Sequence, residues 1–165
     1  MKKQLFLLRH AKSSWDDPAL SDFDRPLNGR GKKAAPFMGG LVAGKGIRPE
    51  VIVSSPAVRA RQTAELFREA AGWKCPLRFE KRIYDAGVSD LRDVISALAD
   101  DVASALLVGH QPGTGELIRW LTGESLHVPT ACFASISLNI GSWSKARSSS
   151  GTLDLILRPK EEMRK

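Results

Sequence analysis

Short apolar runs, each closed by polar or glycine residues, constrain the fold of this chain more than any other feature of its sequence. Three such runs are Leu5 to Leu8, Val51 to Val53 and Ala105 to Val108. Their length and composition are typical of strands buried in the interior of a sheet. We therefore expect three central strands.

Helical patterns lie between these runs. Apolar residues recur at the spacing of one helix face within residues 34–42, 60–71, 91–98 and 117–121. Late in the chain, residues 133–140 and 153–157 alternate like strands, and the segment between them, Ser142 to Gly151, is rich in serine and glycine and reads as a hairpin turn. Strands that alternate with helices and then give way to two strands predict an α/β domain with a largely parallel sheet.

The size and hydropathy of the chain limit what class of protein it is. Its 165 residues are close to the roughly 150 expected of one domain, so we expect a single domain over residues 1–165. No apolar run approaches the roughly 18 residues that span a bilayer, and Arg9 ends the first run too early for a signal peptide. We expect a cytoplasmic protein with no membrane partner.

The positive charge of the chain points to an anionic ligand. The net charge is +7, and ten Lys and Arg stand against five Asp and Glu in the first 50 residues. Aromatic residues make up 7% and do not interleave with a basic run, so a stacking surface for nucleic acid has little support. Cys75 and Cys132 lack the spacing of a zinc site and are expected to be packing thiols. We expect no nucleic-acid partner and a small anionic group as ligand.

Polar residues follow each predicted strand. They are Arg9 and His10, then Ser54 to Arg59, then Gly109 to Pro112. Because ligands of open α/β sheets bind outside the carboxyl ends of the strands, these segments are expected to meet at one edge. Two histidines and two arginines would then surround one site.

This combination of residues suits phosphoryl transfer. Ser55 reads as a helix N-cap with Pro56 at the first helical position, which would bring Arg59 to a helix start where anions bind. The planar forks of Arg9 and Arg59 match phosphate oxygens. His10 is the expected nucleophile, with one ring nitrogen held by an acceptor such as a backbone carbonyl. No metal or other cofactor is needed.

The motifs resemble those of the histidine phosphatase superfamily, which is also called phosphoglycerate mutase-like. They run in order through residues 5–121, and their small size resembles the SixA-type phosphohistidine phosphatases: Leu8-Arg9-His10-Ala11, Asp24-Arg25-Pro26-Leu27, Ser54-Ser55-Pro56 with Arg59, and Gly109-His110-Gln111-Pro112. The resemblance implies a three-layer α/β/α sandwich and a phosphate pocket formed by Arg9, Arg59 and His110 around the nucleophile His10.

The resemblance also implies roles for further residues, and the chain departs from the family pattern at two positions. Arg25 matches a position near the bound anion, and Ser55 and Gln111 are expected to contact substrate. Ala11 stands where the family usually has glycine, and Gln111 where it more often has asparagine. Mutase-like members carry a glutamate as general acid, for which the nearest candidate here is Asp85. His110 would donate to the oxygens that gain charge in the transition state.

The sequence is compatible with three functions. The first is a metal-independent phosphatase acting on protein phosphohistidine through a covalent phosphohistidine intermediate. The leaving imidazole has a conjugate-acid pKa of about 6.5, so a weak general acid would suffice. The second is a phosphatase or mutase acting on a small phosphate ester. The third is a non-catalytic protein that binds anions or nucleic acid.

Several residues have plainer interpretations. Arg59 could pair with Glu65 on its own helix, and Asp24 could pair with Arg25. His127 lies in a predicted loop without catalytic context. We expect a solvated basic rim formed by Lys12, Arg30, Lys32 and Lys33. The four tryptophans are expected to serve in packing, with Trp15 flanking the site entrance: Trp15, Trp73, Trp120 and Trp143.

Overall fold

A six-stranded sheet forms the centre of the protein, which a computed structural model describes over residues 2–165. The strands are β1 (Lys3–Arg9), β2 (Val51–Ser54), β3 (Leu77–Phe79), β4 (Ser104–Gly109), β5 (Phe133–Leu138) and β6 (Gly151–Leu157). The helices are α1 (Gly29–Gly44), α2 (Val58–Ala71), α3 (Val88–Ser96), α4 (Gly113–Thr122) and the short α5 (Pro159–Glu162). Three 3-10 turns lie at Asp22–Asp24, Lys81–Ile83 and Trp143–Lys145.

The strand order is β3-β2-β4-β1-β5-β6. The first four strands are parallel, whereas β5 and β6 are antiparallel to their neighbours. Arg9 pairs with Gly109, and Ser54 pairs with Val108. This register brings the carboxyl ends of β1, β2 and β4 to one edge, as the sequence predicts for a mostly parallel sheet.

Two apolar layers cover the two faces of the sheet. Strand β1 shows the alternation, since Leu5 and Leu7 pack into one core cluster while Phe6 and Leu8 pack into the other. Helices α3 and α4 bury their apolar faces in the first cluster, and α1 and α2 bury theirs in the second. The predicted three-layer α/β/α sandwich is therefore confirmed.

Two strands differ from the predicted elements. The hydrophobic pattern of the sequence does not predict strand β3, because this strand has three residues at the sheet margin and Arg78 and Phe79 are exposed. Strand β5 ends at Leu138, two residues before the predicted limit. None of the helices in the described part of the chain is long and apolar enough to cross a membrane.

The predicted N-cap at Ser55 is wrong. Helix α2 begins at Val58 with Ala57 in the cap position, and no side chain caps it. The Ser55 hydroxyl instead accepts a hydrogen bond from the Ala57 amide at 3.2 Å, which stabilises the turn before the helix. The serine is buried, and its hydroxyl also contacts His110.

Candidate active site

His10 lies immediately after β1 with its ring held in one orientation. Its amide donates to the Gly109 carbonyl at 3.0 Å, and Nδ1 lies 2.7 Å from the Ala11 carbonyl oxygen. A carbonyl only accepts hydrogen bonds, so Nδ1 carries the proton of the neutral ring and Nε2 has a free lone pair. The predicted contact with a backbone carbonyl is confirmed, and it prepares Nε2 to act as a nucleophile.

Thr63 connects the segment that carries His10 to α2. Its Oγ1 accepts the Ala11 amide at 2.9 Å and donates to the Arg59 carbonyl at 2.7 Å. The side chain is fully buried, so both hydrogen bonds form away from water. This one hydroxyl fixes the position of the loop after β1 relative to the first turn of the helix that carries Arg59.

His110 follows β4 and faces His10. The two ring centroids are 5.1 Å apart, and His110 Nε2 lies 2.8 Å from the Ser55 hydroxyl. The ring of Tyr84 packs edge-on against His110 at 5.5 Å. Nδ1 of His110 is buried without a hydrogen-bond partner in the described chain. Ser55 thus holds His110 through Nε2, while Nδ1 has no partner among the described residues.

Burial keeps both imidazoles neutral. Loss of water around the His10 ring, together with the nearby His110, Arg59 and Arg9, lowers its pKa to about 3. Burial likewise lowers the pKa of His110 to about 4, with the charge of Arg59 acting in the same direction. At neutral pH the site therefore offers an unprotonated nitrogen at His10, as nucleophilic attack requires.

Three arginines bring positive charge to these rings. Arg9 donates from Nη1 to the Val128 carbonyl at 3.0 Å, and burial lowers its pKa. The guanidinium of Arg25 stacks over Trp15, 3.5 Å from the ring centroid. Arg25 and Arg59 are both buried. Each arginine keeps a buried Nε without a hydrogen-bond partner among the described residues.

Asp22 organises two of these arginines and is absent from the sequence predictions. Its carboxylate lies 3.0 Å from Nη2 of Arg59 and 3.3 Å from Nη2 of Arg25. The Tyr84 hydroxyl donates to Asp22 Oδ2 at 2.7 Å, which lowers the pKa of Asp22 together with the contacts from Arg59. The arrangement depends on the path of the loop before α1, which no local sequence pattern specifies.

The two alternative ion pairs that the sequence allows for these arginines do not form. Asp24 accepts a hydrogen bond from Ser21 at 3.0 Å instead of pairing with Arg25. Glu65 lies 3.9 Å from Arg61, one helix turn away, instead of pairing with Arg59. Both Arg25 and Arg59 pair with Asp22 instead, which lies in the 3-10 turn Asp22–Asp24.

An open cavity of about 320 Å³ brings the predicted residues together. Ser55 lies behind His110 and does not line it. Gln111 lines the wall, and its Oε1 accepts the Gly115 amide at 2.7 Å. Trp15 is 75% exposed at the cavity, so it flanks the entrance and does not pack in the core. The cavity is lined by Arg9, His10, Lys12, Ser13, Trp15, Arg25, Arg59, His110, Gln111 and Thr130.

Asp85 stands apart from this group. It is exposed, its φ is 53°, and it does not line the cavity. Within the described chain the cavity lining contains no carboxylate. The neighbouring Tyr84 contacts Asp22 and His110.

Comparisons with known proteins agree with the fold and the motifs. A family model described as histidine phosphatase superfamily (branch 1) matches residues 5–111. A chloroplastic protein of Arabidopsis thaliana is 32% identical over 160 residues, covering 92% of this chain and 73% of that protein. Phosphohistidine phosphatase SixA of Escherichia coli strain K12 is 29% identical over 140 residues, covering 82% of this chain and 86% of that protein.

A solved structure supports the same relationship. The protein histidine phosphatase SixA complexed with tungstate superposes with a TM-score of 0.83 at 26% identity. The superposition covers 96% of this chain and 99% of that one. The similarity therefore includes the whole sheet and both helical layers, beyond the residues matched by the family model.

Proposed function

The chain belongs to the histidine phosphatase superfamily, and from this membership we propose that it removes phosphate from phosphohistidine in proteins through a phosphohistidine formed on His10. Family and fold support a phosphatase activity. The observation that carries the proposal is the 2.7 Å contact between His10 Nδ1 and the Ala11 carbonyl, which leaves Nε2 unprotonated beside three guanidinium groups.

In the first step, Nε2 of His10 attacks the phosphorus of the bound substrate. A bond forms between Nε2 and phosphorus while the bond between phosphorus and the substrate imidazole breaks. The substrate nitrogen keeps the electron pair of that bond and takes a proton from solvent. Arg9, Arg25 and Arg59 line the cavity, and their charges stabilise the equatorial oxygens during the transfer.

In the second step, water hydrolyses the phosphoenzyme. The water oxygen bonds to phosphorus, the bond to His10 Nε2 breaks, and inorganic phosphate leaves the open cavity. A proton of the water passes to solvent or stays on phosphate, and His10 regains its neutral form. His110, 5.1 Å from His10 between ring centroids, donates to the phosphoryl oxygens in both steps.

The cavity lining favours a phosphoramidate over an ester. An alkoxide leaving group needs a proton from an acid as the bond breaks, whereas a leaving imidazole has a conjugate-acid pKa of about 6.5. The lining supplies no carboxylate in the described chain, and Asp85 is exposed outside it. A substrate whose leaving group departs readily fits this composition better than a sugar phosphate does.

A comparison of two substrates tests the proposal. We expect kcat/KM for a phosphohistidine peptide to exceed that for glycerol phosphate by about 100-fold or more, after correction for uncatalysed hydrolysis. Asp85→Ala and Asp85→Asn should leave the peptide rate unchanged. Comparable turnover of the ester, lost in both Asp85 variants, would favour an ester phosphatase or mutase with Asp85 as its acid.

A further inference from the structure

A second groove opens beside the catalytic cavity. Its volume is about 670 Å³, and it shares Lys12 and Thr130 with the catalytic cavity, so the two lie side by side. Its walls come from the loop after β1, the start of α1, the segment before β5 and the C-terminal segment. The groove is lined by Lys12, Arg30, Lys33, Ala34, Pro129, Thr130, Pro159, Lys160, Met163 and Arg164.

The charged residues of this groove all have the same sign. Five of its ten lining residues are basic, none is acidic, and all five are exposed. Within residues 2–165 none of the five forms an ion pair. The nearby Glu161 and Glu162 pair with Arg158 and Lys165 instead. Such a collection of unneutralised cations attracts a ligand that carries several negative charges.

Part of the groove lining is apolar. Ala34, Pro129 and Pro159 contribute to it, and the side chain of Met163 is 47% exposed there. The lining contains no aromatic residue on which a base could stack. A lining that combines cationic and apolar side chains matches an amphipathic peptide segment that presents both carboxylates and apolar side chains.

We propose that this groove binds an acidic, amphipathic segment of the phosphoprotein substrate next to its phosphohistidine. The inference rests on the proposed function, because the occupant is part of the same substrate. Lys12 and Thr130 line both cavities, so a segment bound in the groove lies next to the site that holds His10. Docking there raises the effective concentration of the phosphohistidine at His10 and selects among phosphoproteins.

Three substrates with the same reactive group separate docking from chemistry. Phosphoimidazole reports the catalytic cavity alone. A phosphohistidine peptide with a flanking segment of glutamates and leucines at helical spacing reports both sites, and a peptide with glutamines in place of the glutamates serves as its neutral counterpart. For the natural protein we expect kcat/KM to be about tenfold higher for the acidic peptide than for the neutral one, mainly through KM.

The test variant is the double substitution Arg30→Glu with Lys33→Glu. Both residues lie in the first turns of α1, where acidic side chains are favourable to the helix, so the variant should fold. The matched control is Lys74→Glu with Lys145→Glu, which reverses two exposed charges outside both cavities. We expect the test variant to lose the roughly tenfold preference while its phosphoimidazole turnover stays within about twofold, and the control to keep both.

Other outcomes would overturn the inference in distinguishable ways. Equal turnover of acidic and neutral peptides by the natural protein would refute docking while leaving the proposed function intact. Loss of the preference in the control variant as well would indicate a general charge effect. Stronger competition by a DNA oligonucleotide than by polyglutamate would assign the groove to nucleic acid. Failure to turn over any of the three substrates would refute the proposed function itself.

Discussion

Asp22 holds Arg59 through two different groups. The backbone carbonyl of Asp22 accepts from Arg59 Nη1 at 2.6 Å, and its carboxylate accepts from Nη2 at 3.0 Å. These contacts fix the plane of the guanidinium before any phosphate binds. A preorganised donor needs no reorientation during the reaction, which is the property that makes electrostatic catalysis effective.

Replacing Asp22 by asparagine should reduce phosphoryl transfer. The side chain of Asp22 is half exposed, so its charge-assisted bonds contribute about 1 kcal/mol after solvent screening, equivalent to a roughly fivefold decrease in kcat/KM. Steady-state kinetics on a phosphohistidine peptide measure this. Asp24→Asn is the matched control because Asp24 contacts Ser21 and neither arginine. Equal losses in the two variants would contradict a positioning role for Asp22.

Substitution of Ser55 by alanine should affect both stability and rate. It leaves the Ala57 amide without its partner, which costs about 1–3 kcal/mol, and it frees His110 from its 2.8 Å contact. We expect a lower midpoint of urea unfolding and a lower kcat. Ser54→Ala provides the comparison, since the hydroxyl of buried Ser54 donates to the Ser55 carbonyl and has no contact with His110 in the described chain. An unchanged kcat in Ser55→Ala would show that His110 does not depend on this serine.

Burial of His10 should make the protein less stable in acid. The unfolded imidazole has a pKa of about 6.5, whereas burial lowers the pKa of His10 to about 3. Between these values the unfolded chain binds a proton that the folded protein does not, so the free energy of unfolding falls as the pH falls. At about pH 4.5 this loss amounts to about 2 kcal/mol relative to neutral pH.

Urea unfolding of His10→Asn measures this contribution. The variant should lose about 2 kcal/mol less than the natural protein between about pH 7 and pH 4.5. His127→Asn, which alters an exposed histidine, should behave like the natural protein. If His10→Asn and the natural protein lose equal stability, the ring of His10 is not the buried neutral group that the structure describes.

Close packing of α1 against the nucleophile loop predicts a strong effect of one methyl group. A Cβ on Gly31 would overlap the backbone of Lys12, whose carbonyl accepts the Asn28 amide at 2.9 Å. Gly31→Ala should therefore destabilise the protein by about 1–3 kcal/mol and reduce turnover by displacing the loop that carries His10. A Cβ on Gly29 would meet no atom within 4 Å, so Gly29→Ala is the control. Its midpoint of thermal unfolding should equal that of the natural protein.

The sequence predicts the parts of this site that follow buried strands. Leu5–Leu8 and Ala105–Val108 are short and fully apolar, so their boundaries are clear, and parallel pairing then places His10 and His110 at one edge. Arg9, Arg59 and Arg25 follow from the motifs. The contact between His10 and a backbone carbonyl follows from the chemistry that a nucleophilic imidazole needs.

The loops could not be predicted in the same way. Asp22 and Tyr84 are 62 positions apart, and they meet because of how two loops fold over the sheet edge. In sequence Asp24 is nearer than Asp22 to Arg25, yet the 3-10 turn places the carboxylate of Asp22 against the arginine. Ser55 resembles a helix cap in sequence, yet the helix begins later and the hydroxyl supports His110. Tertiary contacts decide each of these cases.

The covalent step at His10 is the central claim, and a trapped phosphoenzyme tests it most directly. Rapid quenching in alkali during turnover of a phosphohistidine peptide, followed by mass spectrometry under non-acidic conditions, locates phosphate on the chain. We expect one phosphoryl group on His10, stable in alkali and labile in acid, and none in His10→Ala, which should also be inactive. Turnover that persists in His10→Ala, or phosphate trapped on another residue, would contradict the account.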